Sequence, residues 1–254
     1  MSDLVQFKLK NNLSCLLIPK NNLKLFTLEI FVRVGARDEN DKTRGSSHLL
    51  EHMLFKGTNK RKTYKDIYKE LDLYGGVFNA STSKNMTCYY VTAPTKYIDN
   101  CLDLMSDILF NSKIKQFDIQ KEKQVVIEEL YMMLDDALRM SLENVFKLCF
   151  QDHPLEHLTI GTEKHILNFK RNEIYKYYKK YYNTNNMFLS ICGNYPKNIK
   201  QLIQKHFANQ KQKSTLYNPI PKAILKKQDI PRIKVIRQKK ENCAISIAYP
   251  TYNL

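Results

Sequence analysis

The sequence predicts an α+β fold, a mostly antiparallel β-sheet with helices packed on one face. Three observations carry it. The opening segment alternates apolar and polar residues in short runs rich in β-branched and aromatic side chains. "VFNAST" and "MTCYYVTA" form a second set of strands, joined through Ser83 to Asn85. Between and after these, from Pro94 to Phe150, the apolar residues recur at helical spacing.

Taken in order, Val5, Phe7 and Leu9 alternate, "SCLLIP" follows the asparagines at 11 and 12, and "LFTLEIFVRVG" is a longer strand. The simplest arrangement of these three is a meander. A helix is expected from Ser46 to Phe55, stopped by Gly57. A second begins at Thr63, where Thr-x-x-Asp with Asp66 resembles a capping box, and ends at Gly75 and Gly76. After Pro94 an amphipathic helix runs to about Phe110, and a long helical region from Phe117 to Phe150 breaks near Asp135 and Asp136. "RNEIYKYYKKYY" is a helix, "NMFLSICGN" a buried strand ended by Gly193, and "NIKQLIQKHF" a short helix.

Three domains of behaviour follow from this reading. Residues 1–207 form one half-domain, 208–231 a basic Pro-containing linker, and 232–254, with strand-like "RIKVIRQ" and "CAISIAYP", the opening of an incomplete second domain.

Composition narrows the function. A chain of 254 residues with 43% apolar residues can bury a sizeable core, which excludes wholesale disorder. The formal charge of +16 comes from lysines spread along the whole chain, without a nucleic-acid-binding module or an aromatic stacking pattern, so no specific nucleic-acid partner is expected. The six cysteines make no CxxC pair and mostly sit in apolar runs, as reduced, buried small hydrophobes would. No secretory signal opens the sequence, and no apolar run has the length of a membrane span. A reducing intracellular compartment, cytoplasm or organellar matrix, is the expectation.

The chemistry concentrates in "GSSHLLEHMLFKGT". On a helix, His48 and His52 lie on one face about 6 Å apart along the axis, which lets both bind one cation. Two neutral imidazoles suit zinc, and a catalytic zinc usually takes a third protein ligand. "EKQVVIEEL" places Glu122, Glu128 and Glu129 in an apolar helical run, where unpaired carboxylates are costly to bury. Glu122 and Glu129 are seven residues apart and share a face, with Glu128 about 100° away from Glu129. Glu129 is therefore the expected ligand and Glu122 its supporting neighbour, and Glu128 stays open as the alternative. His153, His157, His165 and His206 show no comparable spacing and read as structural or exposed.

HxxEH is the zinc motif of the inverzincins, and the chain resembles the pitrilysin, or insulinase-like, zinc metallopeptidases, in particular the branch with the β subunit of mitochondrial processing peptidase. "GARDENDKTRGSSHLLEHMLFKGT" has that family's Gly-x-Arg-x-Glu, the Gly before the motif and the Phe-Lys-Gly-Thr after it. "GGVFNASTSKNMTCYY" has its Gly-Gly, Asn-Ala-x-Thr and Thr-x-Tyr segment, and "HPLEHLTIGTEKHI" and "YYNTNNMFLSICGN" resemble the later part of the same half. Between His52 and Glu129 lie 76 residues, close to the family's separation, which favours Glu129 over Glu128. Ser47 stands where the family often has Ala.

The resemblance implies a half-domain of the LuxS/mitochondrial processing peptidase-like type and a zinc-dependent endopeptidase. In it His48, His52 and Glu129 bind Zn²⁺, Glu51 is the general base, Glu122 orients the ligands, and Asn79 and Ala80 lie beside the metal on a strand that pairs with an extended substrate. Active members join two homologous halves around a chamber, and the second half supplies an Arg and a Tyr that hold substrate. The expected partners are thus a peptide or unfolded polypeptide and either another copy or a partner subunit supplying that half, with no membrane partner. A non-catalytic scaffold or partner subunit is the alternative function.

Overall fold

Strong alternation in the opening residues gives three strands, β1 (Val5–Lys8), β2 (Ser14–Pro19) and β3 (Leu25–Val32). The computed structural model describes residues 4–210, 230–237 and 243–249. Two helices follow, α1 (Ser46–Leu54) and α2 (Tyr64–Leu73), the latter opened by the expected capping box between Thr63 and Asp66. Then come the hairpin of β4 (Val77–Thr82) and β5 (Thr87–Pro94), and helices α3 (Ile98–Asn111), α4 (Gln116–Asp135) and α5 (Ala137–Cys149). The break between α4 and α5 falls at Asp136, whose carboxylate accepts from the amides of Leu138 and Arg139 and so caps α5. A short helix, α6 (Glu163–Asn168), precedes α7 (Arg171–Tyr181), β6 (Met187–Gly193) and α8 (Ile199–Phe207).

The six strands lie in the order β1-β2-β6-β3-β5-β4, all pairings antiparallel except β2 with β6. This corrects the meander: β6 wedges between β2 and β3. The cause is in β6 itself, whose residues are buried along nearly its whole length, including Ser190. A strand of that kind needs neighbours on both edges.

One face of the sheet forms the core. Leu28 and Ile30 of β3, Val91 and Tyr89 of β5, Ile191 and Leu189 of β6 and Leu17 and Cys15 of β2 sit side by side in the pairing register and are buried. Leu102 and Met105 of α3 and Ile203 and Phe207 of α8 belong to the same apolar cluster. Helices on one face of a mostly antiparallel sheet is the expected architecture. On the opposite face Phe31 and Phe188 approach at 6.3 Å and stay half-buried.

Two further expectations change. α6 went unread in the sequence, because six residues carry too little periodicity. The described parts of "RIKVIRQ" and "CAISIAYP" lie in no strand, and most of the linker, 211–229, lies outside the described residues. The extended segments lie along α5 instead: Arg232 donates to the Leu148 carbonyl, Lys234 to Asn144 Oδ1, and Ser141 to Ser246. Of the cysteines only Cys15 and Cys101 are buried; Cys88, Cys149 and Cys192 are half-buried, Cys243 is exposed, and all six are free thiols. No helix among the described residues is long and apolar enough to cross a membrane.

Candidate metal centre

α1 is anchored by Leu49, Leu50, Met53 and Leu54, all fully buried. His48, Glu51 and His52 are left to the opposite side, half-buried. Helix starts leave amides unsatisfied, and the residue before α1, Gly45, has no side chain to cap them. Glu39 does so from upstream: its two oxygens accept from the amides of Gly45 and Ser47, each at 2.7 Å. Ser47 Oγ in turn meets Tyr177 Oη of α7 at 2.8 Å. The Ser in place of the family's Ala is thereby accommodated with a partner.

With α1 fixed, α4 packs beside it and brings Glu129 to the histidines. Glu129 Oε2 lies 3.7 Å from His48 Nε2 and 3.4 Å from His52 Nε2, and the two imidazole rings are 4.7 Å apart. One donor atom from each residue lies within 4.8 Å of the others. Two imidazole nitrogens and a carboxylate oxygen so converged fit a zinc ion in donor chemistry. Glu128 is exposed on the neighbouring face and takes no part. The other histidines stay apart: His206 pairs with Asp99 at 2.6 Å, His165 meets Thr162, and His153 accepts from the Leu155 amide.

Glu122 is 5% exposed, which excludes a surface acid. Its Oε1 lies 2.9 Å from His52 Nδ1 and its Oε2 is 2.5 Å from Lys56 Nζ. Burial alone pushes the Glu122 carboxyl up, but the bonds from His52 and Lys56 outweigh it and hold the group below the ordinary range. An ionised Glu122 fixes the Nδ1–H tautomer of His52 and leaves Nε2 for the shared point.

The two imidazoles differ in charge preference. Burial, then the charge of His52, push His48 down to about 4, against the pull of Glu129. For His52 burial lowers the pKa, but the bonds to Glu122 and Glu129 dominate and lift it to about 9. Glu129 is held down by its bond to His52 despite burial. Glu51, one turn along α1 from His48, is held above the ordinary carboxylate range by burial, opposed by a hydrogen bond from Thr82 Oγ1 at 2.5 Å.

Thr82 ends β4, an edge strand of the sheet. Phe78, Ala80 and Thr82 face the helices, since they pair with buried Val91, Tyr89 and Thr87. Asn79 sits on the other face, exposed, with its Oδ1 accepting from the Ala80 amide at 2.8 Å. Ala80 therefore shares the face of Thr82 and the Asn79 side chain does not. Sequence reasoning passed over Glu39, Lys56 and Thr82, although they are the Glu of Gly-x-Arg-x-Glu, the Lys of Phe-Lys-Gly-Thr and the Thr of Asn-Ala-x-Thr.

Comparison with known proteins bears on the family and the fold. Residues 16–163 match the family described as Insulinase (Peptidase family M16), and 168–254 match the Peptidase M16 inactive domain. An uncharacterized zinc protease of Rickettsia bellii is 37% identical over 74% of this chain and 45% of its own length. The mitochondrial-processing peptidase subunit beta of Lentinula edodes is 30% identical over 79% of this chain and 43% of its own. Among solved structures, a protease from Helicobacter pylori superposes with a TM-score of 0.79 at 27% identity, covering 89% of this chain and 54% of that one. The chain spans about half the length of these relatives. With the HxxEH helix, the acidic helix beside it and the matched sheet together, the chain belongs to the insulinase family of zinc metallopeptidases, M16, and resembles its mitochondrial processing peptidase β branch.

Proposed function

We propose that this chain is the catalytic half of a zinc-dependent endopeptidase. The observation that carries the reading is the convergence of His48, His52 and Glu129 within 4.8 Å, from two helices far apart in sequence. These three residues would hold the ion, with Glu122 and Lys56 fixing His52 behind them. A zinc ion bound there supplies a Lewis acid that polarises a peptide carbonyl and makes water nucleophilic near neutral pH. Glu51, on the same helix and raised above the usual carboxylate range by burial, takes the proton of the attacking water and passes it to the leaving amine nitrogen.

The substrate would lie along β4. Ser83 N donates to Met86 O at the hairpin, so the antiparallel ladder turns the main-chain groups of Ser81 and Asn79 toward β5. Those of Phe78, Ala80 and Thr82 then face the open edge, ready to pair with an extended peptide. The Ala80 amide is held by Asn79 Oδ1, and Asn79 yields it when a peptide docks.

The first half would comprise residues 1–207, joined by 208–231 to the start of a second. Tyr131, Met132, Leu134, Leu138 and Leu142 of α4 and α5 stand exposed beyond Glu129, as a surface awaiting that second half, a further copy or a partner subunit would. The scaffold alternative is disfavoured because every residue of the proposed set lies within 16–163, outside the range that matches the inactive domain.

Glu51→Gln tests the base. The variant is expected to retain about one zinc per chain while peptide hydrolysis falls by about 100-fold or more, and chelation should abolish the wild-type activity. Full hydrolysis by Glu51→Gln, or by the chelated protein, would refute the reading.

A further inference from the structure

Thr82 occupies two places at once. Its side chain, on the helix-facing side of β4, donates to Glu51 Oε2 at 2.5 Å. Its main chain, by the alternation of the β4–β5 ladder, faces the open edge of the sheet. The group that would accept the proton of water and the backbone that would align the peptide are thus linked through one residue.

Building on the peptidase reading above, we propose that Thr82 is a positioning residue that fixes the carboxylate of Glu51 relative to a peptide paired along β4. A glutamate carboxylate has two oxygens and three rotatable bonds behind it. Left alone on a helix it samples several orientations. The Thr82 bond occupies Oε2 and leaves Oε1 as the oxygen free to take a proton. Because donor and substrate-pairing backbone belong to the same residue, the distance from Oε1 to the peptide in register on β4 varies little. β-Branching adds to this, since a threonine has few χ1 options in a strand.

The neighbouring residues of β4 do not supply this link. Thr82 Oγ1 donates directly to the Glu51 carboxylate. Neighbouring Ser81 lies on the opposite face and Ala80 has no polar side chain.

Steady-state kinetics of Thr82→Val and Thr82→Ser in the zinc-loaded full chain, alone and combined with Glu51→Gln, test the proposal. Thr82→Val is expected to lower kcat by about 10- to 100-fold, with KM and zinc content unchanged and the thermal transition preserved. Thr82→Ser, which keeps the hydroxyl, should recover kcat to within a few-fold of wild type. On the residual rate of Glu51→Gln, Thr82→Val should have no further effect, because the donor acts only through that carboxylate. Unchanged kcat in Thr82→Val, an equal loss in the Glu51→Gln background, or failure of serine to rescue would each overturn it. Failure of the peptidase reading itself shows differently, as a wild-type chain that neither binds zinc nor cuts peptide.

Discussion

Glu39 is a carboxylate with 4% of its surface exposed, held by the amides of Gly45 and Ser47 at the start of α1. Those bonds, and the positive end of the helix, favour its charged form. Burial outweighs them and pushes the group up to about 8. Native protein thus keeps this proton where unfolded chain, with an ordinary glutamate near 4.5, has lost it. The native state binds more protons across that window, so Glu39 contributes stability below about pH 4.5 that is lost as pH rises through about 8. Urea unfolding from pH 5 to pH 9 should show this decline in the wild type and a flatter profile in Glu39→Gln. Parallel profiles for the two proteins would show that Glu39 is already ionised at pH 5. At this scale the convergence of His48, His52 and Glu129 was legible, because helix phase singles out residues with carboxylates or imidazoles on an apolar background. Their supports were not: Glu39, Lys56 and Thr82 are common surface types whose role depends on what the fold sets against them.

Among the elements, α1 is the one on which the site depends, and its entry is tightly specified. Gly45 has φ +85°, a conformation that side-chain-bearing residues adopt at a cost, and a Cβ there would stand 2.5 Å from the Ile160 carbonyl oxygen. Gly45→Ala is expected to destabilise the protein by about 1–3 kcal/mol or more, and to weaken zinc binding, because relief of the clash moves the helix start one turn from His48. Chemical denaturation and zinc titration read the two effects. A variant of wild-type stability would show that the 160–161 loop gives way instead. Most elements could be read in advance, since each carries its own periodicity and stop signal: Thr63 with Asp66 opened α2 as expected, and Asp136 divided α4 from α5. Strand order could not. Nothing within β2 or β3 says that a segment from the far end of the half-domain lies between them. The face of Asn79 was lost for a related reason, since only the pairing of β4 with β5 fixes which residues turn toward α1.

For the molecule as a whole, the sheet and helices of residues 4–207 close one face of a core, while α4 and α5 present apolar side chains outward. A preparation that cuts peptides is therefore expected to have a mass above the 30.0 kDa of this chain, through a covalent second half, a second copy or another subunit. Light scattering on the active fraction measures it. Full activity in a 30.0 kDa monomer would show that one half suffices. The formal charge of +16 adds a constraint on any such partner, which would lower repulsion by being acidic where it docks.

The placement of β6 sets an order on biosynthesis. All three residues proposed to hold the metal have been added to the chain by Glu129, yet the strand that separates β2 from β3 is not complete until Gly193. During that interval, on the order of several seconds at ordinary rates of translation, β3 carries an open edge and the β1–β2 hairpin has no neighbour to rest on. Histidines and acid can meet a metal before the sheet behind them is complete. A nascent chain released early would expose strand edges that invite aggregation, so shielding by a chaperone matters most for this stretch of synthesis.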